Sequence, residues 1–173
     1  MNDQSIKKLQ LLKQSKHRKT KNQFIAEGKR LVEEAINYSS TVELMFCTQA
    51  FYNKNKSDWQ GFSKVKNTMV QIITDSQFKK ISSTSTPSGI AALCNLPRNH
   101  YIDFKESEWI YLDKIRDPGN LGTILRSALW FGFKNIILSS KSVDPYNPKA
   151  IRSGMGSHFG LKLYQHVKLN NFI

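Results

Sequence analysis

The segment from Leu112 to Gly132 constrains the fold of this chain more than any other part of the sequence. The apolar run 109–112 predicts a buried strand, and Asp117 and Pro118 then supply a helix N-cap and a suitable first helical residue. Apolar residues recur after them with helical spacing at Leu121, Ile124, Leu125, Ala128 and Leu129. Because a second apolar run follows at 135–138, the pattern predicts a βαβ unit and a parallel sheet.

A charged residue and two glycines share one side of this predicted helix. At 100° per residue, Arg126 lies off the apolar stripe and on the same side as Gly119 and Gly122. Glycine lets another backbone or a ligand approach closely, and arginine keeps its positive charge. Asn120 lies in the first turn, near the same end. The pattern alone fits a ligand site and an ordinary capped helix with a surface arginine equally well.

The charge balance indicates a polyanionic partner. Lys and Arg number 26 against 13 Asp and Glu, for a net charge of +13. This excess favours nucleic acid over a membrane surface, which would need a basic amphipathic helix with large apolar anchors. No apolar run approaches the roughly 18 residues of a membrane span, and no secretory signal is present, so we expect a cytoplasmic protein.

The N-terminal region concentrates positive charge. Residues 4–14 predict a short helix, and a predicted cationic loop follows it. Further cations come after the strand-like run 24–26, at the start of a helical stripe. Charge runs are usually solvated surface, but this run adjoins predicted structure that would hold it against phosphates. The candidate residues for binding nucleic acid here are Lys16, His17, Arg18, Lys19, Lys21, Lys29 and Arg30.

The order of predicted elements separates two domains. An α-β-α-β-β pattern up to residue 96 predicts a small α/β sandwich, with a capping box that starts at Thr74. Residues 97–107 lack periodicity and are interpreted as a linker. Residues 108–173 form the second domain, with a helix opening at Pro148 and a third strand over 161–167.

Several other chemistries lack their sequence signatures. The chain contains no dinucleotide fingerprint, no P-loop and no esterase nucleophile motif. Its histidines lack metal-ligand spacing, so we predict no metal site and place His158 and His166 at the surface or the core edge. Cys47 and Cys94, each inside an apolar run, are predicted to be free, buried thiols.

Two strings in order carry a family resemblance. The run 117–122 (DPGNLG), followed by Arg126 and Gly132, resembles the first motif of the SpoU-type RNA ribose 2′-O-methyltransferases of the SPOUT superfamily. The run 144–157 (DPYNPKAIRSGMGS) resembles the continuation of that family. The run 24–36 (FIAEGKRLVEEAI) is similar to the opening of the family's ribosomal-protein-like RNA-binding domain.

The resemblance implies methyl transfer from S-adenosylmethionine to a ribose 2′-OH of rRNA or tRNA. A 2′-OH exists only in RNA, so the partner would be RNA. The family motif assigns activation of the hydroxyl to an arginine that matches Arg126, supported by Asn120. Because arginine remains protonated, we favour a role for Arg126 as a fixed cation on the target phosphate or the developing alkoxide. Arg152 and Ser153 match a second family string, which fits either the RNA side of the site or an ordinary helix that ends in glycines.

The chain departs from the family pattern at its end. Family members continue into a C-terminal trefoil knot that holds the cofactor and makes most of the homodimer contact. Residues 108–173 are too few for this knot, so we expect the S-adenosylmethionine site to lie beyond residue 173. The sequence is therefore interpreted as the first half of the catalytic domain preceded by an RNA-binding domain. A non-catalytic RNA-binding module is the alternative, and continuation of the reading frame past Ile173 with a Ser-Leu-Asn motif would exclude it.

Overall fold

The computed structural model describes residues 1–38, 42–56, 69–97, 102 and 108–171. The chain divides into two compact units, Met1–Leu96 and Pro97–Ile173. Most of the predicted linker, 97–107, lies outside the described residues. Within the described ranges, no helix is both long enough and apolar enough to cross a lipid bilayer.

The first unit is a mixed four-stranded sheet with helices packed on it. The strand order is β1-β4-β2-β3; β4 runs antiparallel to both of its neighbours, and β3 is parallel to β2. The elements are α1 (Asp3–Leu11), α2 (Ser15–Lys21), β1 (Gln23–Glu27), α3 (Lys29–Asn37), β2 (Val42–Thr48), α4 (Gln49–Lys54), β3 (Met69–Ile73), α5 (Asp75–Ile81) and β4 (Ile90–Asn95).

Side chains from both faces of this sheet are buried, which explains why its strands are apolar almost throughout. Helices α1 and α5 cover one face, where Ile6, Phe46 and Phe78 belong to one core. Phe24 alternates with Ile25 along β1, so it points to the other face, and α3 packs against β1 and β4. The predicted capping box of α5 is confirmed, with Thr74 as its N-cap.

The prediction of a cationic loop at residues 16–21 is wrong, because these residues form α2. The helix ends at Asn22, which adopts a left-handed conformation with φ 55° and donates its backbone N–H to the carbonyl of Arg18. Asparagine tolerates this conformation better than most residues, so it terminates the helix without a glycine. The dense charge of 16–21 therefore lies on a short helix.

The second unit is the predicted parallel βαβ arrangement with a third strand added. Its strand order is β5-β6-β7, with parallel pairing throughout. The amphipathic stripe is confirmed: Leu121, Leu125 and Ala128 are buried in one core with Leu112 and Ile136. The elements are β5 (Trp109–Leu112), α6 (Pro118–Trp130), β6 (Asn135–Leu138), α7 (Pro148–Gly154) and β7 (Lys162–Gln165), with short 3₁₀ turns at Ser157–Phe159 and Leu169–Asn171.

Candidate functional site

The N-terminus of α6 is fixed by Asp117, as the sequence predicts. The Asp117 carboxylate accepts the backbone N–H of Asn120 at 2.8 Å, and Pro118 occupies the first turn. The other carboxylate oxygen of Asp117 forms an ion pair with Lys149 Nζ at 2.9 Å. The Lys149 ammonium, together with the Asn120 N–H, lowers the pKa of this carboxyl. One acidic side chain thus ties the start of α6 to the first turn of α7.

Helices α6 and α7 meet at Gly122, where no side chain would fit. A Cβ at this position would lie 2.7 Å from the Gly154 backbone nitrogen and would collide with the Ala150 carbonyl oxygen and the Ser153 hydroxyl. A Cβ at Gly119 would lie 2.8 Å from Asp117 Oδ1. Sequence reasoning left open whether the glycines admit a backbone or a ligand. At Gly122, the missing side chain admits the backbone of α7.

Arg126 and Asn120 remain at the surface of this crossover. Both side chains are exposed, and Arg126 lies one helical turn beyond Gly122 on the same side of α6. In the part of the chain that the structure describes, Arg126 has no hydrogen bond or ion pair. Its guanidinium is therefore a positive charge on a rigid helix, available to a ligand.

Two further candidate site residues, Arg152 and Ser153, lie on α7, and Ser153 faces Gly122. The Ser153 hydroxyl donates to the backbone carbonyls of its own helix, at 2.9 Å from Lys149 O and 3.2 Å from Ala150 O. It also lies 3.4 Å from the Pro118 carbonyl oxygen of α6. Arg152 is half-buried. The position of Ser153 indicates that it links the two helices, whatever else it contacts.

The N-terminal cations do not all lie at the surface. Lys16, Lys19 and Lys21 are exposed and His17 is half-buried. The prediction that Arg18 binds RNA at the surface is wrong, because only 2% of this residue is exposed. Its Nη1 donates to two backbone carbonyls, those of Leu12 and Lys13, each at 2.8 Å. These two residues directly follow α1, so Arg18 fixes the connection between α1 and α2 and is not a surface contact for RNA.

Lys29 and Arg30 open α3, next to Gly28. Gly28 has φ 117°, a conformation that L side chains rarely adopt, and it lets β1 turn directly into α3. Arg30 is exposed. Lys29 Nζ donates to Asn55 Oδ1 at 3.4 Å, which directs it toward α4.

Sequence reasoning missed that Lys54 and Lys79 accompany Lys29 at one cleft. These lysines come from three separate helices, and no spacing along the chain brings them together. The expected histidine placement also needs a correction, because His158 is buried. Its Nε2 lies 2.8 Å from the Pro145 carbonyl oxygen, and desolvation lowers the pKa of the ring to about 4. His166 is exposed, as predicted.

The two predicted thiols are confirmed as free and buried. Neither Cys47 nor Cys94 forms a disulfide. Burial raises the pKa of Cys47 to about 11, and the pKa of Cys94 is raised as well. Both residues belong to the apolar core of the sheet. Because thiols that stay protonated are poor nucleophiles, we expect neither to react.

These features define an α/β protein of two units, and each unit matches a family model. Residues 3–92 match the MRM3-like substrate binding domain, and residues 108–173 match the SpoU rRNA Methylase family. The chain therefore belongs to the MRM3-like substrate binding domain family over its first unit and to the SpoU rRNA Methylase family over its second.

Named relatives and solved structures agree with this assignment. The chain is 30% identical over 157 residues to the 23S rRNA (guanosine(2553)-2′-O)-methyltransferase RlmP of Bacillus subtilis, covering 91% of this chain and 60% of the relative. It is 27% identical to the human mitochondrial rRNA methyltransferase 3, covering 91% of this chain and 38% of that protein. The chain thus spans less than two thirds of the length of these relatives.

Solved structures of two RNA methyltransferases are similar to this chain over most of its length. A putative RNA methyltransferase of the TrmH family from Porphyromonas gingivalis has a TM-score of 0.82 and 30% identity, over 95% of this chain and 62% of that one. An AdoMet-bound rRNA methyltransferase from Sinorhizobium meliloti has a TM-score of 0.78 and 26% identity, over 94% of this chain and 61% of that one. The predicted fold class is confirmed.

One cleft among the described residues of the second unit does not fit the methyl donor. An open cleft of about 370 Å³ lies beside the ends of β5 and β6, where parallel sheets usually bind ligands. It is lined by Lys114, Lys141 and Lys168 and by a single carboxylate, that of Asp113. Lys114 is paired with Asp113 at 3.1 Å, and the remaining two ammonium groups would repel the positive sulfonium of S-adenosylmethionine. The cleft therefore lacks the electrostatics of a methyl-donor site.

Proposed function

We propose that the complete protein methylates a ribose 2′-OH of rRNA and that this chain supplies RNA recognition and the charged face of the catalytic domain. One observation carries the proposal: Arg126 and Asn120 are exposed on a helix whose position is fixed by the Gly122 crossover and by Asp117. These residues occupy the family motif within a chain that belongs to the SpoU-type methyltransferases. The rRNA target is favoured by the names of its relatives.

Arg126 acts in this proposal as a fixed cation. Its guanidinium contacts the phosphate beside the target nucleotide or the oxygen that loses its proton, and Asn120 supplies amide hydrogen bonds at the same end of α6. Arg152 and Ser153 line the RNA side of the crossover. The exposed cations Lys16, Lys19, Lys21 and Arg30, with His17 and Lys29, hold more distant phosphates.

S-adenosylmethionine supplies the methyl group and is held by residues beyond the described part of this chain. We further propose that the complete protein forms a homodimer and acts in the cytoplasm. A non-catalytic RNA-binding module is the alternative, and it would share the cationic surfaces while lacking methyl transfer.

The 173-residue chain itself is expected to bind RNA but not S-adenosylmethionine. Fluorescence anisotropy with an rRNA hairpin should give a plot of log affinity against log salt with a slope of about −3 or steeper, as several phosphate contacts require. Calorimetry with S-adenosylmethionine should show no binding at micromolar concentrations. Absence of RNA binding at low salt would contradict the RNA function, and micromolar cofactor binding would contradict the placement of the donor site.

A further inference from the structure

The first unit contains an open cleft of about 640 Å³ between α3, α4 and α5. Its polar lining comes from separate elements, with Lys29 at the start of α3, Lys54 at the end of α4 and Lys79 within α5. We name it the three-lysine cleft. It lies apart from α2, whose residues do not line it.

The electrostatics of the three-lysine cleft favour an anion. Among the described residues that line it, three are lysines and only Asp75 carries a carboxylate. Lys54 and Lys79 are exposed, and neither forms an ion pair with an acidic residue in the described ranges. Lys29 is held at the rim through its contact with Asn55 Oδ1. The cleft therefore presents concentrated positive charge in a concave surface.

The floor of the cleft is tightly packed. The backbone N–H of Thr48 donates to the Gly89 carbonyl at 2.9 Å, and the Thr48 hydroxyl accepts the backbone N–H of Phe51 at 3.2 Å. Gly89 has φ 78°, and a Cβ there would lie 3.1 Å from Phe51 Cβ. A side chain at residue 89 would be strained and crowded, so glycine is required where the loop meets α4.

The adjoining loop is held in place by the half-buried carboxylate of Glu27. The Glu27 carboxylate accepts the hydroxyl of Ser82 at 2.7 Å and the backbone N–H of Ser88 at 3.3 Å. These bonds hold both ends of the loop that contributes Pro87 and Ser88 to the cleft. A wall held in this way loses little conformational entropy when a ligand binds.

We infer that the three-lysine cleft binds the phosphodiester backbone of the substrate RNA, as a contact separate from the cations of α2. The inference rests on the proposed function and assigns a specific site within it. Lysine ammonium groups act as point charges on flexible stems, which suits phosphates and reads no base sequence. The cleft therefore positions the RNA strand and leaves the choice of target nucleotide to other contacts.

The test compares two double variants with the same change of charge. Lys54→Ala with Lys79→Ala removes two lysines that line the cleft, whereas Lys56→Ala with Lys80→Ala removes their exposed neighbours that do not line it. The whole 173-residue chain is titrated against a single-stranded rRNA fragment over a range of salt. The cleft variant should bind about 10-fold more weakly, with a salt slope reduced by about 1.4, at the ~0.7 per contact that single strands show. The neighbour variant should lose less than about 2-fold.

Each outcome decides the inference. Equal losses in the two double variants would overturn it, because the effect would then follow net charge alone. Unchanged affinity of the cleft variant would overturn the cleft while leaving RNA binding by the chain intact. If the unmodified chain binds no RNA, the proposed function falls together with the cleft. If inorganic phosphate at millimolar concentration fails to compete with the RNA, the result would support binding of an extended RNA strand in the cleft. Full competition would show that the cleft is a site for a free anion instead.

Discussion

Replacing Arg126 by alanine in the complete protein is expected to slow methyl transfer to RNA by about 10²- to 10³-fold, the range found when one electrostatic stabiliser of a transition state is removed. The fold should not change, since Arg126 is exposed and has no hydrogen bond within the described residues. The measurement is the single-turnover rate of label transfer from S-adenosylmethionine to rRNA. Circular dichroism would verify that the variant is folded.

A matched variant separates position from charge. Arg116 is also exposed and lies in the same unit, so Arg116→Ala removes the same charge from another place. Its rate should remain within about 3-fold of the unmodified protein, since an exposed charge that touches no reacting group contributes little. Arg126→Lys keeps the charge but loses the planar fork, and intermediate activity would show how much of the effect is geometric. Equal rates for Arg126→Ala and the unmodified protein would contradict the assigned site.

Gly122→Ala is expected to destabilise the second unit by about 3 kcal/mol, at the upper end of the cost of overpacking. The added methyl group would meet the Ala150 carbonyl and the Gly154 nitrogen, which are backbone atoms that cannot rotate away. Hydrogen exchange of the α6 amides reports this unit alone and gives the change in opening free energy. Helix propensity would act in the opposite direction, because alanine is favoured over glycine by about 1 kcal/mol.

The control for this substitution is Ser127→Ala, on the exposed side of the same helix. It should change the stability by no more than about 0.5 kcal/mol, because substitutions of exposed side chains usually have small effects. If Gly122→Ala proves as harmless as Ser127→Ala, the close crossing of α6 and α7 would be wrong. The rigid support that the account gives to Arg126 would then be lost.

The second unit could be predicted from sequence because its signals are local. Asp117 and Pro118 mark a helix start within two residues, and the apolar stripe of α6 repeats with the period of the helix. Gly122 shows where local reasoning stops. Its sequence context indicates a close approach, but only the position of Ala150, 28 residues later, shows that the approaching group is a helix backbone.

The first unit shows the limits more sharply. Arg18 has the same sequence context as Lys19, yet one is buried and the other exposed. The difference comes from two carbonyls directly after α1, whose direction depends on how α1 and α2 pack. The three-lysine cleft is non-local as well, since Lys29, Lys54 and Lys79 meet only after the sheet has formed. The charge balance indicated a polyanionic partner but could not locate a binding surface for it.

The most direct measurement of the central claim is nucleoside analysis of RNA treated with the complete protein and S-adenosylmethionine. After enzymatic digestion, mass spectrometry distinguishes a methyl group on ribose from one on a base, and a substrate with 2′-deoxyribose at the modified nucleotide serves as the control. The account predicts a 2′-O-methylated nucleoside in the rRNA and none in the deoxy-substituted RNA. A base-methylated product, or a product that persists without the 2′-OH, would contradict it.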